Sequence, residues 1–405
     1  MASYDTIPKS AKVQPTKFTV SVPEEKLQQM KQLISLSPIG PETYENLQES
    51  RDLNNFGISR KWLENAKAEW EGKYDWRASE AHINSFPNYT LPVTDDDGRT
   101  YTIHFAALFS TNPAAIPIAF FHGWPGSFLE FLPMLSLLKK KYPTAEQLPY
   151  HIIVPSLPGF AFSSRPPTDK DWLSHDSARL MHKLLADGLG FSGYVAQGGD
   201  IGSYIGRSLG ARYDACKAVH LNFCPVPQPD SVPDAAAASP QDQAGLARAA
   251  AFRTGGIAYA LEHATRPATI GLVLSASPLA LLAWIGEKFW TWTDAPPPVA
   301  DVLDSVSLYW LTATFPTSIY TYRRGLGPNA DPVTFHAQPE NYVRKPLGFS
   351  SFPQELLSVP RAWAAATGDL VWYKQHDAGG HFAAMEKPDV MLADVEDFVG
   401  KVWKN

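Results

Sequence analysis

The segment Gly198-Gly199-Asp200-Ile201-Gly202 carries the most chemistry in this chain of 405 residues. It falls between a short apolar run, Tyr194-Val-Ala-Gln197, and a helical pattern from Ile201 to Leu209. The spacing is that of a nucleophile elbow, with Asp where Ser is usual. Small residues suit a tight turn whose central residue is held under backbone strain. A plain Gly-rich turn with Asp200 as N-cap of the next helix accounts for the same letters. The motif therefore needs support from elsewhere in the chain.

Two other segments supply it. His122-Gly-Trp-Pro-Gly126 follows the apolar run Ile116–Phe121. A loop so placed can offer the backbone N–H of Trp124, which with that of Ile201 forms a pair of oxyanion donors. Turn chemistry alone is the bland alternative, and the Trp124–Pro125 bond is a candidate for the cis form. Gly379-Gly380-His381-Phe382 lies beyond the last predicted strand, where a base must sit to reach an elbow nucleophile. His376 is the rival base, closer to the strand and outside the Gly-Gly turn. The acid that orients the base is expected after the penultimate strand, Leu347–Phe352, which points to Glu355. Asp369 competes but precedes the last strand, and Asp377 is weaker. Nucleophile, acid and His then follow in the chain order of an α/β-hydrolase.

A carboxylate nucleophile narrows the reaction. It attacks amides poorly, but it can displace a leaving group at saturated carbon, giving an ester that His-activated water hydrolyses. The oxyanion donors act in that second step. Epoxides and alkyl halides both fit. An opening epoxide needs a proton or donor for its alkoxide, which a neutral tyrosine supplies. A departing halide is usually held by indole or amide N–H groups. Residues 226–345 contain Tyr259, Tyr309, Tyr320 and Tyr322 beside Trp284, Trp290, Trp292 and Trp310, so counting does not decide.

The elements that must position these groups are legible in outline. Short apolar runs alternating with helical patterns from about residue 100 to 221 indicate a mostly parallel sheet covered on both faces. The rhythm stops over 226–345, where Ala, Trp and Pro abound and Asp234-Ala-Ala-Ala-Ala-Ser-Pro240 is nearly low complexity. It resumes over 346–405. A helical insert of this kind is expected as a lid over the strand ends, where open α/β sheets bind ligands. Residues 1–92 are expected as an extension packed on the core (93–225 and 346–405) and the lid. Ser21-Val-Pro-Glu24 there predicts a capping box, and Leu27, Met30 and Ile34 a helix.

Composition excludes several classes. A net charge of -6 lacks the basic excess of a nucleic-acid binder, and 44% hydrophobic residues exclude disorder. Two cysteines, Cys216 and Cys224, cannot build a disulfide framework, which favours a reduced, intracellular setting. No secretory h-region is visible, so the sequon Asn88-Tyr89-Thr90 is expected to be idle. Pro267 to Gly286 is 20 residues without a charge. Gly271, Ser275, Ser277 and Pro278 break it into two pieces, predicting buried helices rather than a membrane span.

Taken together, the chain resembles epoxide hydrolases of the microsomal type, especially their soluble fungal members. The likeness runs through Tyr74-Asp-Trp-Arg77, His122 to Phe128, Ser156-Leu-Pro-Gly-Phe160, Gly198 to Ser203, Tyr259 to Pro267, Trp284-Ile-Gly-Glu-Lys288, Phe349 to Glu355 and Gly379 to Ala384. It implies an α/β-hydrolase fold with the lid inserted after the sixth strand. It also implies hydrolysis of an aryl or alkyl epoxide to a vicinal diol, without metal or organic cofactor. Asp200 would be the nucleophile, His381 the water-activating base and Glu355 its partner, where many relatives use Asp. Tyr259 and Tyr322 would assist ring opening, with Tyr320 the rival of Tyr322. The same likeness implies a soluble, cytoplasmic enzyme, without a membrane anchor, and is compatible with a homodimer. Haloalkane dehalogenation on the same fold is the alternative reaction, and a catalytically dead binding module is the non-enzymatic one.

Overall fold

Nine strands form one sheet in the order β1-β2-β3-β5-β4-β6-β7-β8-β9 in the computed structural model, which describes residues 3–53, 55–233, 239–326 and 335–404. The strands are β1 (Thr16–Phe18), β2 (Asn88–Thr94), β3 (Thr100–Leu108), β4 (Ile116–Phe121), β5 (Tyr150–Pro155), β6 (Tyr194–Gly198), β7 (Cys216–Leu221), β8 (Val343–Ser351) and β9 (Gly368–Gln375). Pairings from β5 through β4 to β9 are parallel, while β1, β2 and β3 join antiparallel at one edge. All five residues of β6 are buried, and β4 is nearly so. Burial on both faces is why these strands read as unbroken apolar runs rather than alternating ones.

Helices cover the sheet: α1 (Glu24–Leu36), α2 (Arg60–Gly72) and α3 (Trp76–Asn84) in the extension, then α4 (Leu132–Lys141), α5 (Ser174–His182) and α6 (Asp200–Arg212). Between β7 and β8 come α7 (Pro240–Ala251), α8 (Ala258–Thr265), α9 (Pro267–Leu274), α10 (Pro278–Thr291), α11 (Val299–Thr312), α12 (Phe315–Ser318) and α13 (Tyr322–Leu326). After β8 follow α14 (Arg361–Ala365), α15 (Ala383–Glu386) and α16 (Pro388–Val402). The helical insert follows β7, which is the sixth strand once the short edge strand β1 is set aside. The Ala-rich stretch 234–238 lies outside the described residues.

One local expectation is corrected, at the start of α1, and two others, at the sequon and the uncharged run, agree with the structure. Helix α1 begins at Glu24 with Pro23 at its cap and no side-chain cap bond, so Ser21 caps nothing. Instead the Val22 N–H donates to Glu80 Oε1 at 2.6 Å, and that tertiary bond fixes the chain's entry. The sequon Asn88 is buried in β2, where its amide donates to the Ile83 and Phe86 carbonyls and no sugar could attach. The uncharged run from Pro267 forms α9 and α10, bent by 117°. No single helix among the described residues is long and apolar enough to cross a membrane.

The extension is fastened to the lid by polar side chains. Arg51 donates to the carbonyls of Trp290, Thr293 and Asp294 at 2.8, 2.6 and 3.1 Å. Trp70 Nε1 donates to Ser307 Oγ at 3.2 Å, and the Tyr74 hydroxyl to Asp304 at 2.8 Å.

Candidate active site

Strand β6 runs into α6 through a turn so sharp that Asp200 sits at φ 45°, a left-handed conformation that costs a residue with a Cβ. Gly202 permits the turn: a Cβ there would lie 1.9 Å from the Phe121 carbonyl. The strained corner points the Asp200 carboxylate at the loop after β4. There the Trp124 N–H donates to Asp200 Oδ1 at 2.8 Å. Gly123 makes room for this approach, since a Cβ on it would meet Oδ1 at 2.0 Å. The Trp124–Pro125 bond is cis. Ile201 is the second residue of α6, in the first turn, where N–H groups have no partner within the helix.

His381 reaches the same carboxylate from beyond β9. Its Nε2 lies 3.5 Å from Asp200 Oδ2, and its Nδ1 donates to Glu355 Oε1 at 2.7 Å. The backbone N–H of His381 donates to the Trp292 carbonyl at 3.0 Å, so the lid anchors the loop. Glu355 follows β8 and is buried, and its Oε1 also accepts from the Leu356 N–H at 2.6 Å. Burial pulls the imidazole's pKa down, but Glu355 and then Asp200 outweigh it and hold it well above the ordinary value. The imidazole is flanked by two carboxyl groups, Glu355 on Nδ1 and Asp200 on Nε2. All these groups stand at the carboxyl ends of parallel strands, where such sheets bind ligands.

Two lid tyrosines complete the cluster. Tyr259 of α8 stacks on Trp124 with centroids 5.3 Å apart, and Tyr322 at the start of α13 meets the same indole edge-on at 5.9 Å. The two phenol rings are 5.7 Å apart. Burial holds both hydroxyls well above their ordinary pKa, and Asp200 pushes the same way, so both stay protonated. An acceptor of low basicity would gain little from them, whereas a developing alkoxide would gain a proton donor.

Comparison with known proteins gives this geometry a family. The model for the epoxide hydrolase N terminus matches residues 15–131, and that for the α/β-hydrolase fold matches 116–275. The structure of Aspergillus niger epoxide hydrolase superposes with a TM-score of 0.91 at 50% identity, covering 99% of this chain and 100% of that one. The chain belongs to the epoxide hydrolase family. A relative from Dothistroma septosporum, named as a candidate epoxide hydrolase, is 48% identical over 401 residues, 98% of this chain and 93% of that protein. Juvenile hormone epoxide hydrolase from Bombyx mori, at 24% identity and TM-score 0.81 over 97% of this chain and 96% of that one, shares the fold.

Within this epoxide hydrolase family member the rival residues are placed elsewhere. His376 binds Asp394 at 2.5 Å and stacks on Phe352, and Asp369 and Asp377 are exposed. The Tyr320 hydroxyl is tied to Ser177 of α5 at 2.7 Å, and that of Tyr309 donates to the Gly126 carbonyl at 2.8 Å. Two ionisable groups near the site were given no role by the sequence reading. Lys288 is buried with its ammonium 2.8 Å from Glu287 and 4.8 Å above the Tyr259 ring. Glu130 lines a small cavity with Asp200 and His381. The available signal for Glu130 was its standing as the one charge in the apolar run Phe128 to Leu138.

Proposed function

We propose that this enzyme hydrolyses epoxides to vicinal diols through an ester on Asp200. Asp200 Oδ attacks one epoxide carbon while Tyr259 and Tyr322 donate to the ring oxygen, and one of them gives up its proton. Water then attacks the ester carbonyl carbon, with His381 accepting its proton and Glu355 holding the imidazole. The Trp124 and Ile201 N–H groups meet the charge that forms on the Asp200 oxygen. Side chains and backbone supply every step.

The observation that carries this reading is the Asp200 carboxylate, strained into place between the Trp124 N–H and the His381 imidazole. Forming the ester neutralises Asp200 and so removes one of the two anions that keep His381 protonated. Alkylation thereby lets His381 release its extra proton to solvent and act as base in the step that follows, and it takes a proton back once Asp200 is an anion again. The paired lid phenols favour an epoxide over an alkyl halide, since a halide leaves without needing a proton. The aromatic surround of Trp124, Tyr259, Trp292 and Phe315 suits an aryl or alkyl substituent. The same reading takes the enzyme as cytoplasmic, with Cys216 and Cys224 as free buried thiols.

A single turnover of an aryl epoxide in oxygen-18 water tests the reading. The label is expected in the Asp200 carboxylate, while its appearance in the first-turnover diol would mean direct water attack. His381→Gln is expected to accumulate an adduct of protein mass plus substrate. Tyr259→Phe combined with Tyr322→Phe is expected to abolish diol formation, with alkyl halide turnover as the control for the alternative chemistry.

A further inference from the structure

The cavity beside Asp200 measures about 20 Å³, which suits a single water molecule. Its lining includes Asp200, His381, Trp124, Asn222 and Glu130, and neither lid tyrosine. It is therefore the water side of the nucleophile rather than the side where an epoxide must meet two phenols. Four ionisable side chains, His122, Glu130, Asp200 and His381, around one water-sized space are more than esterification requires.

Glu130 is built into this space. It stands in the single turn Phe128–Phe131 that follows the loop, with its N–H donating to the Ser127 carbonyl at 3.1 Å. Gly126 lies under its carboxyl, since a Cβ there would come within 1.3 Å of Glu130 Oε1. The loop thus holds two glycines, and each vacates room for a carboxyl group, Gly123 for Asp200 and Gly126 for Glu130. Any side chain at position 126 would drive Glu130 from the cavity.

Resting on the two-step reading above, we propose that Glu130 positions the water that hydrolyses the Asp200 ester. The His381 Nε2 takes one hydrogen of this water, and the Glu130 carbonyl oxygen accepts a hydrogen bond from the other. With both hydrogens held, a lone pair of the oxygen faces the ester carbon. The new bond joins water oxygen to Asp200 Cγ, and the bond broken joins Cγ to the alkyl oxygen. That oxygen leaves with the proton held by His381. The second hydrogen passes to solvent as Asp200 ionises, and the tyrosine that gave up a proton regains one from solvent.

Glu130 is suited to hold water without competing for its proton. Burial raises its pKa to about 8, and Asp200 adds to the rise while His381 opposes it. A neutral carboxyl at pH 7 accepts a hydrogen bond through its carbonyl and leaves His381 as the base.

The test separates the two chemical steps. Glu130→Met keeps the bulk and removes the acceptor, while Glu130→Gln keeps an acceptor oxygen. With an aryl epoxide and rapid quench, E130M is expected to show a normal ring-opening burst. Its ester should then be hydrolysed at least about tenfold more slowly and accumulate as a mass adduct, and E130Q should restore most of the rate. E130A, which leaves a gap instead of a misfit, is read in the same way. Ester hydrolysis at the parental rate in both E130M and E130A overturns the proposal, as does equal slowing of both steps. H381Q run in parallel isolates the underlying reading: no adduct there means the ester itself does not form.

Discussion

Asp200 helps to set the charge of His381. The His381 pKa is held well above its ordinary value by Glu355 and Asp200, against burial. Its stabilising contribution is thus fully present below the unfolded pKa of about 6.5 and is lost as pH rises through the higher folded value. Asp200→Asn removes one anion without changing shape. The His381 pKa is expected to fall, by at least about one unit, in a histidine NMR titration. An unchanged value would show that Glu355 alone sets it. The sequence displayed these residues because each sits in a Gly-framed turn, and glycine marks where backbone must bend sharply. Glu130 has no such frame around it. Its importance depends on a cavity that exists only after β4, β6 and the segment beyond β9 come together, which no local pattern encodes. Tyr322 and Tyr320 differ by two positions in one motif, and only the docking of Tyr320 against Ser177 separates them.

Among the elements, the lid segment from Trp290 to Asp294 links the extension to the base. Arg51 grips three of its carbonyls, and the Trp292 carbonyl accepts the His381 N–H. Asp294 adds a bond from the Gly379 N–H at 2.9 Å. Arg51→Ala leaves those carbonyls without their charged donor, at a cost of about 1–3 kcal/mol. The denaturant midpoint is expected to fall by a matching amount, and ester hydrolysis to slow more than ring opening, because His381 loses its footing. Core strands were legible because they are buried on both faces, and α16 because its period is regular. Strands β1 and β2 were not. The first has only three residues, and the second carries Pro92 and owes its conformation to pairing with β3. The start of α1 was misplaced for a similar reason, since Glu80, far along the chain, takes the role a local cap would have played.

Over the whole molecule, buried histidines govern the response to acid. Burial lowers the pKa of His104 and His263 to about 3, and of His122, His151 and His220 to about 4. Each stays neutral in the fold while its unfolded counterpart gains a proton near pH 6.5. Their contribution is present above that pH and lost as pH falls toward the folded values. His182 and His336 are lowered by burial too, whereas Glu130 and Glu386, raised by burial to about 8 and about 7, act in the opposite direction with Asp301 and Asp304, four groups against seven. Melting temperature is therefore expected to decline steadily between about pH 6.5 and pH 4. A flat profile across that interval would mean the histidines are hydrated. The fastening of extension to lid has a consequence for traffic. A roof bolted at Arg51, Trp70 and Tyr74 cannot swing up like a trapdoor without shearing all three fixings together. A route that leaves these fixings intact runs through crevices between side chains, where what is admitted is decided by the width of a doorway and not by the motion of a hinge.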